Sequence, residues 1–181
     1  DMGFETYQKI LAEAMEELGV ETGIVTRSSN ESYIVDCTIE TDQLALIPDS
    51  YIDLTAEKIR IYKELDSISN EKDLEIMRGK LTDRFGKIPV ELERLFDIVK
   101  IRQLGVKLGF EKIIIKNGVL IAFFILNPLS QYYKSERFSK VLENVSMHPH
   151  LFEIKQPDNR LRIVVRNVDS ISKAYNILKK L

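Results

Sequence analysis

The stretch Leu81-Thr82-Asp83-Arg84-Phe85-Gly86-Lys87-Ile88-Pro89 carries a helix stop followed closely by a helix start. Gly86 suits the left-handed position just past a helix end. Pro89 suits the first turn of the next helix, where its missing N–H costs nothing. Apolar residues recur at helical spacing on both sides: Leu74, Met77, Leu81 and Phe85 before, then Leu92, Leu95, Phe96, Val99 and Val106 after. The chain must therefore hold two consecutive helices that meet at a short polar corner. Asp83 and Arg84 are not required by that logic. One reading makes them a C-terminal cap with an incidental ion pair. The other makes them an exposed pair that meets complementary charges on a partner, since such pairs set specificity and register more than affinity.

The same signals divide the rest of the chain. Phe4, Tyr7, Ile10, Leu11, Ala14, Met15 and Leu18 predict an amphipathic helix over 1–18, which Gly19 stops. Residues 19–32 are rich in Gly, Thr, Ser, Asn and Glu and predict a linker. Residues 33–181 form the expected main domain. Strand character runs from Tyr33 to Thr41, and Asp42-Gln43 breaks it. Asp53 or Thr55 is expected to cap a helix carrying Ile59, Tyr62, Leu65 and Ile68. Asn70 caps the next, with Asp73 near its positive end. In the helix after Pro89, Glu91 and Glu93 come early and Lys100, Arg102 and Lys107 late, as the dipole favours, and Gly109 ends it.

Beyond Gly109 the period changes. Lys112 to Ile115, Asn117-Gly118, then Val119 to Leu126 predicts a β-hairpin, because Asn-Gly accepts the positive φ angles of a tight turn. A helix follows over 135–145. A second strand pair, 151–155 and 161–166, flanks Pro157-Asp158-Asn159, and Asp169 is expected to cap a terminal helix. Residues 111–145 and 151–181 thus each read strand-strand-helix. The class is α+β: helices followed by a largely antiparallel sheet with helices packed on one face.

Catalytic and cofactor chemistry finds little support. The 181 residues are 44% hydrophobic and 30% charged with net charge −2, so no global basic field recruits nucleic acid. No glycine cluster leads into a helix with Lys and Ser/Thr, and Gly105 and Gly109 are too far apart to cradle phosphate. The histidines His148 and His150 flank Pro149 in what reads as a loop, with nothing to specify a metal. Glu91 and Glu93 point away from each other on a helix. A single cysteine, Cys37, excludes an internal disulfide, favours a reducing compartment and reads as a buried thiol on a strand. No apolar run reaches membrane-spanning length, and no signal-peptide pattern opens the chain. Asp1 is not an initiator residue, so the chain is expected to be a fragment of a longer protein. Gln131 to Arg137 mixes aromatics with cations, and Arg160, Arg162 and Arg166 add charge near a strand. That pattern keeps single-stranded nucleic-acid binding open, without an aromatic-rich motif on the hairpin.

Several segments in order resemble one family. Gly3-Phe4-Glu5-x-Tyr7, Ala45-Leu46-Ile47-Pro48-x-x-Tyr51-Ile52, Ile61-Tyr62-Lys63 and Asp83-Arg84-Phe85-Gly86-x-x-Pro89 resemble the C-terminal region of bacterial transcription-repair coupling factors (Mfd). The resemblance runs from about residue 3 to at least residue 125. It implies that residues 1–18 are the end of an upstream RecG-like translocation region, and that 33–181 is a non-catalytic regulatory domain. The parent would be an ATP-driven double-stranded-DNA translocase, with ATP and Mg in its motor, that engages stalled RNA polymerase and recruits UvrA. In the family the terminal domain packs on a UvrB-like module and masks the surface UvrA recognises, an autoinhibitory contact that uses the Asp-Arg of the Asp-Arg-Phe-Gly motif. Asp83 and Arg84 match those positions. Lys80, one turn earlier, stands where the family often has an acid. The resemblance further implies DNA repair in the cytoplasm, no cofactor in this fragment and no membrane. An accessory nucleic-acid-binding role for the same translocase is the alternative, and the isolated first helix could pair with a second copy.

Overall fold

The computed structural model describes residues 33–181. The helix expected over 1–18 and the linker over 19–32 lie outside the described residues. Those described fall into two compact units, one of residues 44–99 and one of 33–43 with 100–181.

The first unit is helical. α1 (Thr55–Ser67) and α2 (Glu71–Phe85) precede α3 (Val90–Leu108), whose first half belongs here. Ile61, Tyr62 and Leu65 of α1, Leu74, Met77 and Leu81 of α2, and Leu92, Leu95, Phe96 and Val99 of α3 are buried, as their helical spacing predicts. The apolar run Leu44 to Ile47 is not a strand. The Ile47 N–H donates to the Tyr62 hydroxyl at 2.9 Å, which replaces a ladder partner. Asn70 caps α2 as predicted, its side chain accepting from the Asp73 N–H at 2.9 Å and donating to the Asp73 carboxylate at 2.8 Å. The cap expected at Asp53 or Thr55 is absent: Leu54 occupies the N-cap and Thr55 is already helical. Exposed Leu54 makes no side-chain bond, while the buried Lys58 and the exposed Asp49 pair instead.

The second unit is built on a five-stranded sheet in the order β1-β2-β3-β5-β4. Its strands are β1 (Thr38–Thr41), β2 (Phe110–Lys116), β3 (Val119–Phe124), β4 (Glu153–Lys155) and β5 (Arg162–Arg166). Only β1 runs parallel to its neighbour, β2; every other pair is antiparallel. The hairpin turn has Asn117 at φ 53° and Gly118 at φ 73°, the geometry that Asn-Gly predicts. α4 (Glu136–Met147) follows β3, and α5 (Ile171–Leu178) follows β5. The two strand-strand-helix segments therefore meet at the β3–β5 pairing. The strand expected from Tyr33 shrinks to 38–41, with Val35 almost fully exposed while Cys37 and Ile39 are buried.

Alternation sorts the sheet into two faces. Ile39, Ile113, Ile115, Leu120, Ala122, Phe124, Ile163 and Val165 are buried on one. Gly105 of α3 lies against Cys37 and Ile113, where any Cβ would come within 2.6 Å of the Cys37 sulfur. Phe138 of α4 packs edge-on to Phe124 at 5.6 Å between ring centroids. Helices therefore cover this face. The opposite face carries Glu40, Lys112, Lys116, Phe123, Arg162 and Arg166. Cys37 is the buried thiol that the alternation predicts, with burial raising its pKa to about 12. The terminal helix is capped one residue later than expected: the Ser170 hydroxyl, rather than Asp169, accepts from the Lys173 N–H at 3.1 Å. No described helix is long and apolar enough to cross a membrane.

Candidate contact surface at the end of α2

The corner after α2 is held from outside the helix. Gly86 has φ 85° and ψ −162°, and its N–H donates to Thr82 at 2.9 Å. The positive φ is as the glycine predicts, but ψ places it in the extended region that only glycine visits, beyond the left-handed helical one. The Tyr51 hydroxyl reaches the carbonyls of Leu81 at 3.1 Å and Gly86 at 2.9 Å, tying its loop to both sides of the helix end. Burial raises the pKa of that phenol. The Tyr51 and Phe85 rings lie 5.8 Å apart. Phe85, read from the sequence as core, is only half-buried. Pro89 sits just before α3, and its carbonyl accepts from the Leu92 and Glu93 N–H groups at 3.1 and 3.0 Å. The bends on both sides of Lys87-Ile88 are thus fixed by backbone chemistry, with Ile88 buried as an anchor.

On this frame Asp83 and Arg84 have different fates. Arg84 does not pair with Asp83. Its guanidinium bonds Glu57 of α1 at 2.5 Å and lies 4.8 Å from the Phe85 ring centroid. Glu57 also receives Arg60 at 2.5 Å. Asp83 is exposed and has no ion pair among the described residues, and the same holds for Lys80. The incidental Asp83–Arg84 pair that the sequence allowed is therefore not formed.

Sequence reasoning missed two contributors. At about 100° per residue, Ile76 falls on the same face of α2 as Lys80 and Asp83. It is 48% exposed, and a Cβ on Gly79 beside it would meet no other side chain or element of the described residues within 4 Å. Together they put an exposed apolar residue beside the charges of Lys80 and Asp83. The signal was present, because Ile76 is the one large aliphatic residue of α2 off the Leu74, Met77, Leu81 stripe. Tyr51 is the other, a positioning residue brought to the corner from a loop. Elsewhere, Tyr132 is fully buried, with its hydroxyl donating to the Leu108 carbonyl at 2.6 Å, so it is no base-stacking platform. The His148 ring contacts the Asn144 carbonyl at 3.0 Å, and no group of metal-ligating side chains converges among the described residues.

The TRCF domain family model matches residues 41–135, a span that contains the whole corner. The transcription-repair-coupling factor of Rickettsia typhi is 32% identical over 181 residues, which is 98% of this chain and 15% of that protein. Its counterpart in Staphylococcus epidermidis is 31% identical over 180 residues, 93% of this chain and 15% of that protein. The Escherichia coli protein is 31% identical over 114 residues, 62% of this chain and 10% of its own length. The chain thus spans about 15% of the length of the first of these relatives. A crystal structure of the C-terminal domain of a transcription-repair coupling factor shares the fold, with TM-score 0.66 and 19% identity over 80% of this chain and 88% of that one. On sequence and fold together, the chain belongs to the TRCF domain family, as a C-terminal domain of the transcription-repair coupling factor type.

Proposed function

We propose that this domain is a non-catalytic regulatory clasp in a larger DNA-repair translocase. The patch of Ile76, Gly79, Lys80 and Asp83, with Arg84 at its edge, docks on the parent's UvrB-like module and masks the surface that UvrA would bind. The observation that carries this reading is the state of Asp83: an exposed carboxylate without an ion-pair partner among the described residues, on a helix end fixed by Tyr51 and Gly86. Arg84 is committed to Glu57, so it acts by holding α1 and α2 together and presenting one edge of its guanidinium. The ATP and Mg chemistry, the double-stranded DNA and the RNA polymerase contact belong to the remainder of the parent, which is cytoplasmic. The clasp is an interdomain equilibrium, and opening it requires a ligand that binds the open and closed states differently.

The test is Asp83→Arg in the full-length parent, scored by capture of UvrA. The expected outcome is increased capture that approaches the level of a variant lacking this domain. A loss of about 2–5 kcal/mol in the closed contact would indicate a desolvated pair, and under about 1 kcal/mol a rim contact. Unchanged capture in both the point variant and the domain deletion would overturn the reading.

A further inference from the structure

The sheet face opposite the helices has a charge balance unlike that of the whole chain. Glu40 lies between Lys112 at 2.7 Å and Lys116 at 3.5 Å. Glu153 lies between Arg166 at 3.2 Å and Lys155 at 3.5 Å. Glu111 has Arg160 at 3.5 Å, and Arg162 has no carboxylate partner among the described residues. Three carboxylates are thus set against six cations, on a chain whose net charge is −2. Arg160 and Arg162 flank one ring: their guanidinium carbons lie 4.7 and 4.6 Å from the centroid of Phe123. The Nε of each is buried and bonded to no protein atom. Both guanidiniums stack on Phe123; Arg160 also has Glu111, while Arg162 is held by stacking without an acid, so the pair carries more positive charge than Glu111 offsets.

At the end of the β3–β5 pair this face adjoins a pocket of about 220 Å³. Its walls include Leu126, Pro128, Tyr133, Gln156, Asn159 and Leu161. Arg160 stands in sequence between two of these lining residues, Asn159 and Leu161. Small-molecule sites run to roughly 300–1,000 Å³, so this pocket suits a single ring better than a whole ligand. A small slot of mixed apolar and polar lining that includes Tyr133, Gln156 and Asn159, beside two guanidiniums stacked on one ring, matches a nucleobase with its flanking phosphate. Polar groups of Gln156 and Asn159 can read a base edge, which an aliphatic side chain of an acidic peptide would leave unused.

We propose that this face binds single-stranded nucleic acid, with one splayed base in the Tyr133–Gln156 pocket and the flanking phosphates on Arg160 and Arg162. A duplex cannot supply that base without unpairing it, so single strands bind better. The site shares no residue with the α2 patch, and the two readings stand or fall separately.

The test measures fluorescence anisotropy of a labelled single-stranded 12-mer with the 181-residue chain, between 50 and 200 mM salt. Matched arms use the duplex form and unlabelled poly-glutamate as competitor. Binding is expected to favour the single strand and weaken with salt. Arg160→Gln with Arg162→Gln is expected to cost at least tenfold and to make the log–log salt slope shallower by about 1.4, at roughly 0.7 per phosphate contact. Leu126→Trp, at an exposed position, fills the pocket and is expected to weaken binding with the slope unchanged. It also serves as the second variant should the arginine pair be needed for folding. Asp83→Arg should leave all of these values where they were. No single-strand binding at 50 mM salt, binding indifferent to both variants, or equal displacement by poly-glutamate would overturn the proposal, the last in favour of an acidic protein segment.

Discussion

Two helices in this molecule end by the same device, in different surroundings. α2 stops at Gly86, φ +85°, with the Tyr51 hydroxyl on the carbonyls of Leu81 and Gly86. α3 stops at Gly109, φ +96°, with the Tyr132 hydroxyl on the Leu108 carbonyl. At the first end the tyrosine is half-buried, and a Cβ on the glycine would meet nothing within 4 Å. At the second the tyrosine is fully buried, and a Cβ would fall 2.2 Å from its ring. Tyr132 also joins Phe124, Tyr133 and Phe138 in one aromatic cluster. One stop signal therefore serves as scaffold in the sheet unit and as a mounted surface feature in the helical unit. What separates them is how much side chain closes over the glycine.

The contrast makes its largest prediction at the glycines. Gly109→Ala forces both a positive φ on alanine and displacement of a packed ring. The expected cost is about 3 kcal/mol or more. Gly86→Ala pays for the backbone alone, about 1–3 kcal/mol. Urea denaturation of the two variants measures the gap directly, and equal losses would break the comparison.

A smaller effect separates the tyrosines at high pH. Burial raises the Tyr132 phenol pKa well above its ordinary value, with Tyr133 adding to the shift and Arg137 opposing it. The folded pKa exceeds the unfolded one, so above about pH 10 the unfolded chain loses this proton first and stability falls. One such group gives at most about 1.4 kcal/mol per pH unit in that window. Tyr132→Phe should start from lower stability, having lost the bond to Leu108, yet lose less between pH 10 and 11. Tyr51→Phe should leave that slope largely in place, because its half-exposed phenol loses less hydration on folding than the buried Tyr132 phenol.

Much of the fold was legible because its signals are local. The hairpin at Asn117-Gly118, the Asn70 cap, the stops at Gly86 and Gly109 and the apolar stripes each lie within a few residues of their cause. The misses come from distance and from competition between neighbours. Ser170 rather than Asp169 caps α5, since a one-residue choice depends on where the chain turns after β5. The Arg84–Glu57 bond joins residues 27 apart in sequence, and no periodicity could have placed it. Tyr132 and Tyr133 looked alike beside the cations of 131–137, yet only the pleat and the 3₁₀ turn over Gln131–Lys134 decide that Tyr132 enters the core while Tyr133 lines a pocket. Of the proposed contact patch, Asp83, Arg84 and Lys80 are named from the sequence, and Ile76 is hidden by attention to the opposite stripe.

The smallest prediction bears most on why Asp83 is there. It lies in the last turn of α2, where the carbonyl end of the helix disfavours a negative charge by about 0.3–1 kcal/mol. No cation among the described residues compensates it, since Arg84 turns to Glu57. Asp83→Asn should therefore raise the stability of the domain slightly, by about 0.3 kcal/mol, a shift of roughly 1–2 °C in Tm. In the full-length parent the same substitution should weaken the clasp and raise UvrA capture, moving contact and stability in opposite directions. A surface residue chosen for the fold alone would move neither, and one that braces the fold would lower stability. A loss of 1 kcal/mol or more in the isolated domain would show that Asp83 works within its own unit. The carboxylate would then no longer be the free charge on which the contact depends.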